Sequence, residues 1–229
     1  MKYFVNFGNW IFRYRNIIFP IFYLTLFIPS PGLCSDKCSI IAGSLIIASG
    51  ILVRSVTIGL EYIVRGGYKG KIYAENLVTG GIYSLCRNPM YLGNILLIAG
   101  FGIFANSMLF VLLFLPAFLV TYLAIIKAEE SFLVNKFGEE YSRYRNSVNS
   151  LFPDFRKMNN AFKGFRFNWN RILIKEYNSL YVYFCGIGLI LLYKEMISFS
   201  VFLSAWIVLT FLYLTIKFVK KRYVMKPKG

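Results

Sequence analysis

The sequence contains no histidine in 229 residues. That absence removes imidazole bases, haem ligation through His, and the usual zinc and di-iron ligand sets. Acidic side chains number only 10 against 26 Lys and Arg, a formal charge of +16. The four cysteines form no Cys-x-x-Cys pair. Cys34 and Cys38 stand four apart beside a Pro-Gly turn, while Cys86 and Cys185 are isolated, so no metal site is expected. A small disulfide between Cys34 and Cys38 in an oxidising compartment and a pair of free thiols both suit that spacing. No small-residue cleavage site follows the aromatic and basic N-terminus, so the first helix is expected to stay.

Charge of either sign is scarce, at 16% of residues, whereas 57% are hydrophobic and the mean hydropathy is +0.57. Soluble domains hold roughly 45–50% apolar residues, and here those residues run in long uninterrupted stretches that leave no polar surface for water. The composition excludes a soluble enzyme. It describes a polytopic membrane protein whose basic excess serves topology and lipid contact rather than nucleic acid.

Six apolar segments can be drawn: Ile17 to Leu33, Ile40 to Val64, Met90 to Ala105, Met108 to Ile126, Tyr177 to Tyr193 and Ile197 to Ile216. Short connections, such as Asn106-Ser107 and Lys194-Glu195-Met196, pair them into three antiparallel hairpins. The expected fold is therefore all-α, a transmembrane helical bundle of five to six membrane segments with cytoplasmic amphipathic helices. Met90 to Ala105 falls short of the roughly 20 residues needed to span a bilayer. Of the 26 basic residues, 23 lie on the N-terminal arm, the connections around 65–89 and 127–176, and the tail. This asymmetry places both termini and both long connections in the cytoplasm.

Those two connections hold the unusual sequence. The first reads Ala74-Glu-Asn-Leu-Val-Thr-Gly-Gly-Ile-Tyr-Ser-Leu-Cys-Arg-Asn-Pro-Met-Tyr-Leu-Gly93. Gly80-Gly81 allows close backbone approach to a ligand, and Pro89 can open a helix whose N-terminal N–H groups favour an anionic group. Loop punctuation between two spans accounts for the same residues. The second connection places Glu129 and Glu130 at the membrane boundary, where carboxylates are costly unless they meet cations, hydroxyls or water. They read either as a solvated helix end or as carboxylates that hydrogen-bond ribose hydroxyls or an amino group. Arg54 and Glu61, two helical turns apart, share a face and suit either an ion pair or contact with a substrate. Phe162 to Arg171 reads as a basic aromatic segment on the inner membrane surface.

Taken together, Asn76-Leu-Val-Thr-Gly-Gly-Ile-Tyr83, Arg87-Asn-Pro-Met-Tyr-Leu-Gly93, Glu129-Glu130, Phe137-Gly-Glu-Glu-Tyr141, Tyr144 and Pro153 have the order and approximate spacing of a known family. Residues 40–155 resemble the integral membrane methyltransferases that include isoprenylcysteine carboxyl methyltransferase and the phospholipid N-methyltransferases. The resemblance implies S-adenosylmethionine as cofactor, bound at the cytoplasmic face, and a lipidic or lipidated acceptor entering sideways from the bilayer, its carboxylate or amine taking the methyl group. By position, Glu75, Asn76, Leu77, Val78 and Tyr83 line the cofactor pocket; Asn88, Pro89, Met90 and Tyr91 hold the cofactor at the helix start; Glu129 is its binding glutamate. The family's Arg-His-Pro is Arg-Asn-Pro here, and Ile125 stands where the prenylcysteine enzymes carry a substrate-binding arginine. Arg54 or Lys127 is the candidate replacement charge. No catalytic residue is implied, because the sulfonium already activates its methyl group. The implied organisation is a methyltransferase core over 1–155, then a basic interfacial segment and C-terminal hairpin over 156–229. A sterol- or enone-type membrane reductase using NADPH and a non-enzymatic membrane protein are the competing readings.

Overall fold

A computed structural model describes residues 2–60, 72–163 and 167–224. Among them the secondary structure is helical: α1 (Lys2–Leu24), α2 (Asp36–Leu60), α3 (Pro89–Phe104), α4 (Leu115–Ser147, entered through a π-helical turn at Phe110–Phe114), the single turn α5 (Met158–Ala161), α6 (Trp169–Tyr193) and α7 (Phe199–Val224). The chain divides into two compact units, Met1–Arg166 and Phe167–Gly229.

Within the first unit, α2 and α3 form the tightest pair. Their closeness follows from small residues, the usual device where lipid removes the hydrophobic drive for helix association. A Cβ built on Gly43 would stand 2.5 Å from the Phe104 backbone nitrogen, so only glycine lets the two backbones approach this far. α1 lies against α4, and aromatic edges fill the join. Phe22 meets Phe118 edge-on at 4.9 Å, and Phe19 lies 5.3 Å from Tyr122, the offset geometry that ring quadrupoles favour.

The expected turn at Asn106-Ser107 is present, with Asn106 at a φ of 56°. Its amide also staples the α1–α2 connection. Oδ1 accepts from the Leu33 N–H at 2.8 Å, and Nδ2 donates to the Cys34 carbonyl at 2.8 Å. Cys34 and Cys38 are exposed and form no disulfide with each other.

Among the described residues, three helices are long and apolar enough to cross a membrane: Asp36–Leu60, Phe110–Ser147 and Phe199–Lys221. The protein is an integral membrane protein. The shorter apolar helix Pro89–Phe104 has 16 residues, a rise of about 24 Å against a hydrocarbon core of about 30 Å. Several boundaries differ from the hydropathy reading: α4 continues past Ile126 to Ser147, α6 begins at Trp169 rather than Tyr177, and the first helix runs Lys2–Leu24, not from Ile17 to Leu33. Hydropathy discounts Lys2, Asn9, Arg13 and Arg15, yet the apolar face between them, with Ile11 and Phe12 buried, supplies helix packing. Past Leu24, only a 3₁₀ turn at Thr25–Phe27 follows before Pro29 and Pro31 end helical continuation.

The second unit is a hairpin. α6 opens on Asn168, whose side chain caps the Arg171 N–H at 2.9 Å. Tyr213 packs between Tyr177 and Tyr181 at 5.4 and 4.6 Å, and the Lys220 ammonium sits 4.9 Å over the Tyr177 ring. The membrane-length window of α7 buries none of its residues, as suits a face solvated by lipid. Glu61, Arg65, Lys69, Lys71, Gly164 to Arg166, Lys226 and Lys228, which entered the charge and motif readings, lie outside the described residues.

Candidate active site

The segment leading into α3, the polar part of α4 beyond Ile126, and the chain following α4 build the site together. Residues 85–88 and 149–154 lace by backbone hydrogen bonds. The Arg87 N–H donates to the Asn149 carbonyl at 2.9 Å, the Asn88 N–H to the Ser150 carbonyl at 3.0 Å, and the Asp154 N–H to the Leu85 carbonyl at 3.0 Å. The Asn88 amide adds bonds to the Ser150 carbonyl and hydroxyl, both 3.2 Å.

Arg87 is the buried centre of this lacing. Its guanidinium donates to Glu130 Oε1 at 2.6 Å, to the Arg145 carbonyl at 2.7 Å and to the Val148 carbonyl. The planar fork of arginine is suited to several fixed acceptors at once. Lys127 reaches the other Glu130 oxygen, Oε2, at 3.2 Å while its own side chain stays half exposed. Both Glu130 oxygens are therefore held by cations, which is how a buried carboxylate is tolerated. Beside them, burial pushes the Cys86 thiol up to about 11, with the Asn88 backbone N–H and the Arg87 charge pulling less strongly the other way.

Glu129, one residue earlier, points elsewhere. It is buried, and its Oε1 accepts from the Tyr91 hydroxyl at 2.6 Å, a short bond of the kind charge assistance gives. Tyr91 packs on a cluster made by Ile11, Phe12 and Ile125, with Ile72 and Phe19 at its edge. This bond joins α3 to α4 at the point where α4 leaves its apolar run.

The loop before α3 is tied down from the other side. The Lys136 ammonium donates to the Ala74 carbonyl and lies 5.5 Å over Tyr73 and 5.4 Å over Phe137. Ala74 is buried among Leu133, Tyr141 and Tyr144, with Leu77 packed alongside. Val78 and Tyr83 belong to a different cluster, with Leu60, Ile82 and Leu85. The Tyr144 hydroxyl joins the two by donating to the Tyr83 carbonyl at 2.7 Å.

The residues expected to bind cofactor are thus brought together in part. Tyr91 and Glu129 touch. Pro89 is buried in the first turn of α3 and Met90 half-buried beside it. Leu77, Val78 and Tyr83 turn inward as the loop's hydrophobic anchors, whereas Glu75 and Asn76 are exposed. Asn88 has its amide on Ser150, and Lys127 its ammonium on Glu130. Arg54 lies buried between α2 and α3, donating to the Asn94 side chain and packing its stem on Gly93. Arg87 and Tyr144 entered the sequence reading as motif positions without a role in the site, and Lys136 had none either. The available signal for Arg87 was a lone cation just before a helix-opening proline, facing a carboxylate pair that needed partners. Among the described residues, no three His, Cys, Asp or Glu side chains gather to hold a metal ion.

This geometry lies mostly inside a recognisable segment: residues 38–140 match the family model of phospholipid methyltransferase. That segment is similar to the phospholipid methyltransferase family. Within its bounds are the loop before α3, Tyr91, Arg87, Glu129 and Glu130; the match ends inside α4, ahead of the Ser150 strap and of the second unit. Among curated proteins, the chain is 39% identical over 79 residues to the cobalt-zinc-cadmium resistance protein CzcN of Cupriavidus metallidurans, covering 34% of this chain and 36% of that protein. It is 35% identical over 80 residues to the nickel-cobalt-cadmium resistance protein NccN of Alcaligenes xylosoxydans xylosoxydans, covering 35% and 37%. Over 77 residues it is 35% identical to the protein-S-isoprenylcysteine O-methyltransferase of Schizosaccharomyces pombe, covering 34% and 33%. The chain therefore spans about a third of the length of the curated relatives it matches. No solved structure matches it.

Proposed function

We propose that this protein transfers a methyl group from S-adenosylmethionine to the carboxylate or amine of a lipidic or lipidated acceptor, at the cytoplasmic face of the membrane and with both termini in the cytoplasm. The observation that carries the reading is the buried Glu129 carboxylate, aligned by Tyr91 where α4 leaves the apolar layer, within a segment similar to the phospholipid methyltransferase family. The same family match speaks for a transferase over an NADPH-dependent reductase or a non-enzymatic protein.

The donor set suits the cofactor. S-adenosylmethionine presents an ammonium and a ribose diol, which are hydrogen-bond donors, and Glu129 is an acceptor positioned by a neighbour rather than by its own flexible stem. The exposed Glu75 and Asn76 form the outer lip, and the α3 N-terminus at Pro89–Tyr91 favours the cofactor carboxylate. Bound cofactor supplies a methyl group already activated by its sulfonium. The protein's part is then to hold the acceptor in line at roughly 3 Å. A carboxylate acceptor has no proton to lose, and an amine releases its proton to water. Glu130, held by Arg87 and Lys127, keeps the loop and helix in register. Lys127, half exposed at the membrane boundary, is the charge offered to an anionic acceptor head; Arg54, the other candidate, acts through the α2–α3 packing that frames the site.

The test is calorimetric titration of the detergent-solubilised chain with S-adenosylmethionine, which should saturate and be competed by S-adenosylhomocysteine. Glu129→Gln should weaken binding by about 1–3 kcal/mol, the range for leaving partners of a charged hydrogen bond unsatisfied. Absence of any heat at millimolar cofactor refutes the reading, and unchanged affinity in folded Glu129→Gln removes that residue from the site.

A further inference from the structure

A groove of about 690 Å³ runs between the first half of α1 and residues 128–135 of α4. None of the residues assigned above to cofactor or acceptor lines it. Its polar members form two facing rungs: Asn9 and Arg13, one helical turn apart on α1, and Ser131 and Asn135, one turn apart on α4. Its apolar wall is built from Phe12, Ile72 and Phe132, and no acidic side chain lines it.

An apolar wall with one cation, two amides and a hydroxyl matches an amphiphile whose head is anionic. An alkyl chain lies along the rings, while head-group oxygens accept from Arg13 and the amides. Position agrees with this chemistry. On α4 the groove lies just past Ile126, at the end of the apolar run, and the α1 side is edged by the exposed aromatics Phe7, Trp10 and Tyr14, the residue types that collect at head-group level. Arg13 is exposed, its guanidinium 5.6 Å from the Tyr14 ring, so it is accessible to a head group.

We propose that the α1–α4 groove is a binding site for an anionic phospholipid of the surrounding leaflet, held through its phosphate by Arg13, Asn9 and the Ser131–Asn135 rung. This site is separate from methyl transfer and holds whether or not the cofactor reading is right. It also has a structural consequence: Phe12 and Ile72 belong to the cluster that carries Tyr91, and Ala128, on the groove wall, precedes Glu129. A seated lipid therefore packs α1 against the back of the Tyr91–Glu129 bond.

The experiment uses the full chain in phosphatidylcholine nanodiscs containing a photoactivatable phosphatidic acid or, separately, an uncharged photoactivatable diacylglycerol with the same chains. Cross-linked peptides are mapped without cofactor. Phosphatidic acid should label residues 5–14 and 128–135 well above the lipid-facing α7, and Arg13→Gln should lower that labelling about tenfold or more, the weight of one charge-assisted bond. Arg13→Lys should keep most of it, because the phosphate still meets a cation. Ser131→Phe, which fills the groove and leaves the charge, should also abolish labelling. Equal groove labelling by diacylglycerol, labelling no stronger than on α7, or indifference to both Arg13→Gln and Ser131→Phe would overturn the proposal.

Discussion

The α2–α3 pair and the polar layer beneath it solve opposite problems. Between α2 and α3 the contact is made by leaving side chains out, so that Gly43 and Gly93 receive the Phe104 backbone and the Arg54 stem. In the polar layer, contact is made by long side chains reaching backbone carbonyls across many residues: Arg87 to 145 and 148, Lys136 to Ala74, Tyr144 to Tyr83. Hydrocarbon offers no drive to bury apolar groups, so close van der Waals approach holds the helix pair. At the boundary, loops carry unpaired backbone carbonyls that need donors, and cations and phenols supply them. The two regions should therefore break by different substitutions.

The largest effect is expected in the polar layer. Arg87→Met removes three donors and leaves Glu130 buried beside Lys127 alone, and losing one partner of a buried ion pair costs about 3–5 kcal/mol. Arg87→Lys should recover little, since a point charge does not reproduce the fork. Thermal unfolding of the purified variants measures both. Near-normal stability of Arg87→Met would show that the lacing of 85–88 to 149–154 holds without its centre.

Cys86 probes the same layer by pH. Its thiol stays protonated in the folded chain to about 11, whereas its ordinary value is 9.0. Between those values the unfolded state has lost the proton and the folded state has kept it, so stability falls as pH rises through that window. The contribution is up to about 2–3 kcal/mol at 1.36 kcal/mol per unit. The protein should lose stability from pH 9 to 11 more steeply than Cys86→Ala, compared by chemical unfolding; parallel curves would count against burial as the cause.

For the α2–α3 pair, the expected break is steric. Gly43→Ala places a methyl group 2.5 Å from the Phe104 nitrogen and 2.6 Å from its Cα, backbone atoms that cannot swing aside. Overpacking of this kind costs about 1–3 kcal/mol. Unfolding in graded denaturing detergent should register that loss, and a neutral result would mean that the helices are free to separate without penalty.

What could be read beforehand follows the same division. The α3–α4 turn was legible because Asn106-Ser107 interrupts a long apolar stretch, and Glu129 because a carboxylate at the end of a span demands a partner. Helix α1 was misplaced because hydropathy averages over all faces, while Lys2–Leu24 is held by one face only. Arg87 was read as a topological charge and a motif position; its Glu130 partner was open to a charge argument, but its other two acceptors are carbonyls some sixty positions away that no side-chain pattern encodes. Leu77, Val78 and Tyr83 were recognised as part of a motif, yet their burial in two separate clusters is a property of the folded loop.

The smallest expected effect separates the two uses of glycine. Gly138 lies inside α4 at a φ of 56° and ψ of −125°, where the helix changes direction, and nothing lies within 4 Å of the Cβ it lacks. Space is free there and torsion is not, the reverse of Gly43. Gly138→Ala should cost about 1 kcal/mol, the low end for holding a residue with a side chain in this part of conformational space. The cost has a direction: straightening the kink would draw Tyr141 and Tyr144, which lie beyond Gly138, away from Ala74 and Leu133 and loosen the hydroxyl bond to Tyr83. Hydrogen exchange should then rise at residues 72–83 in Gly138→Ala while the α2–α3 pair keeps its protection. Faster exchange in α2 and α3 as well would mean that the polar layer and the α2–α3 pair unfold as one unit, and that the contrast between them is one of chemistry without independence.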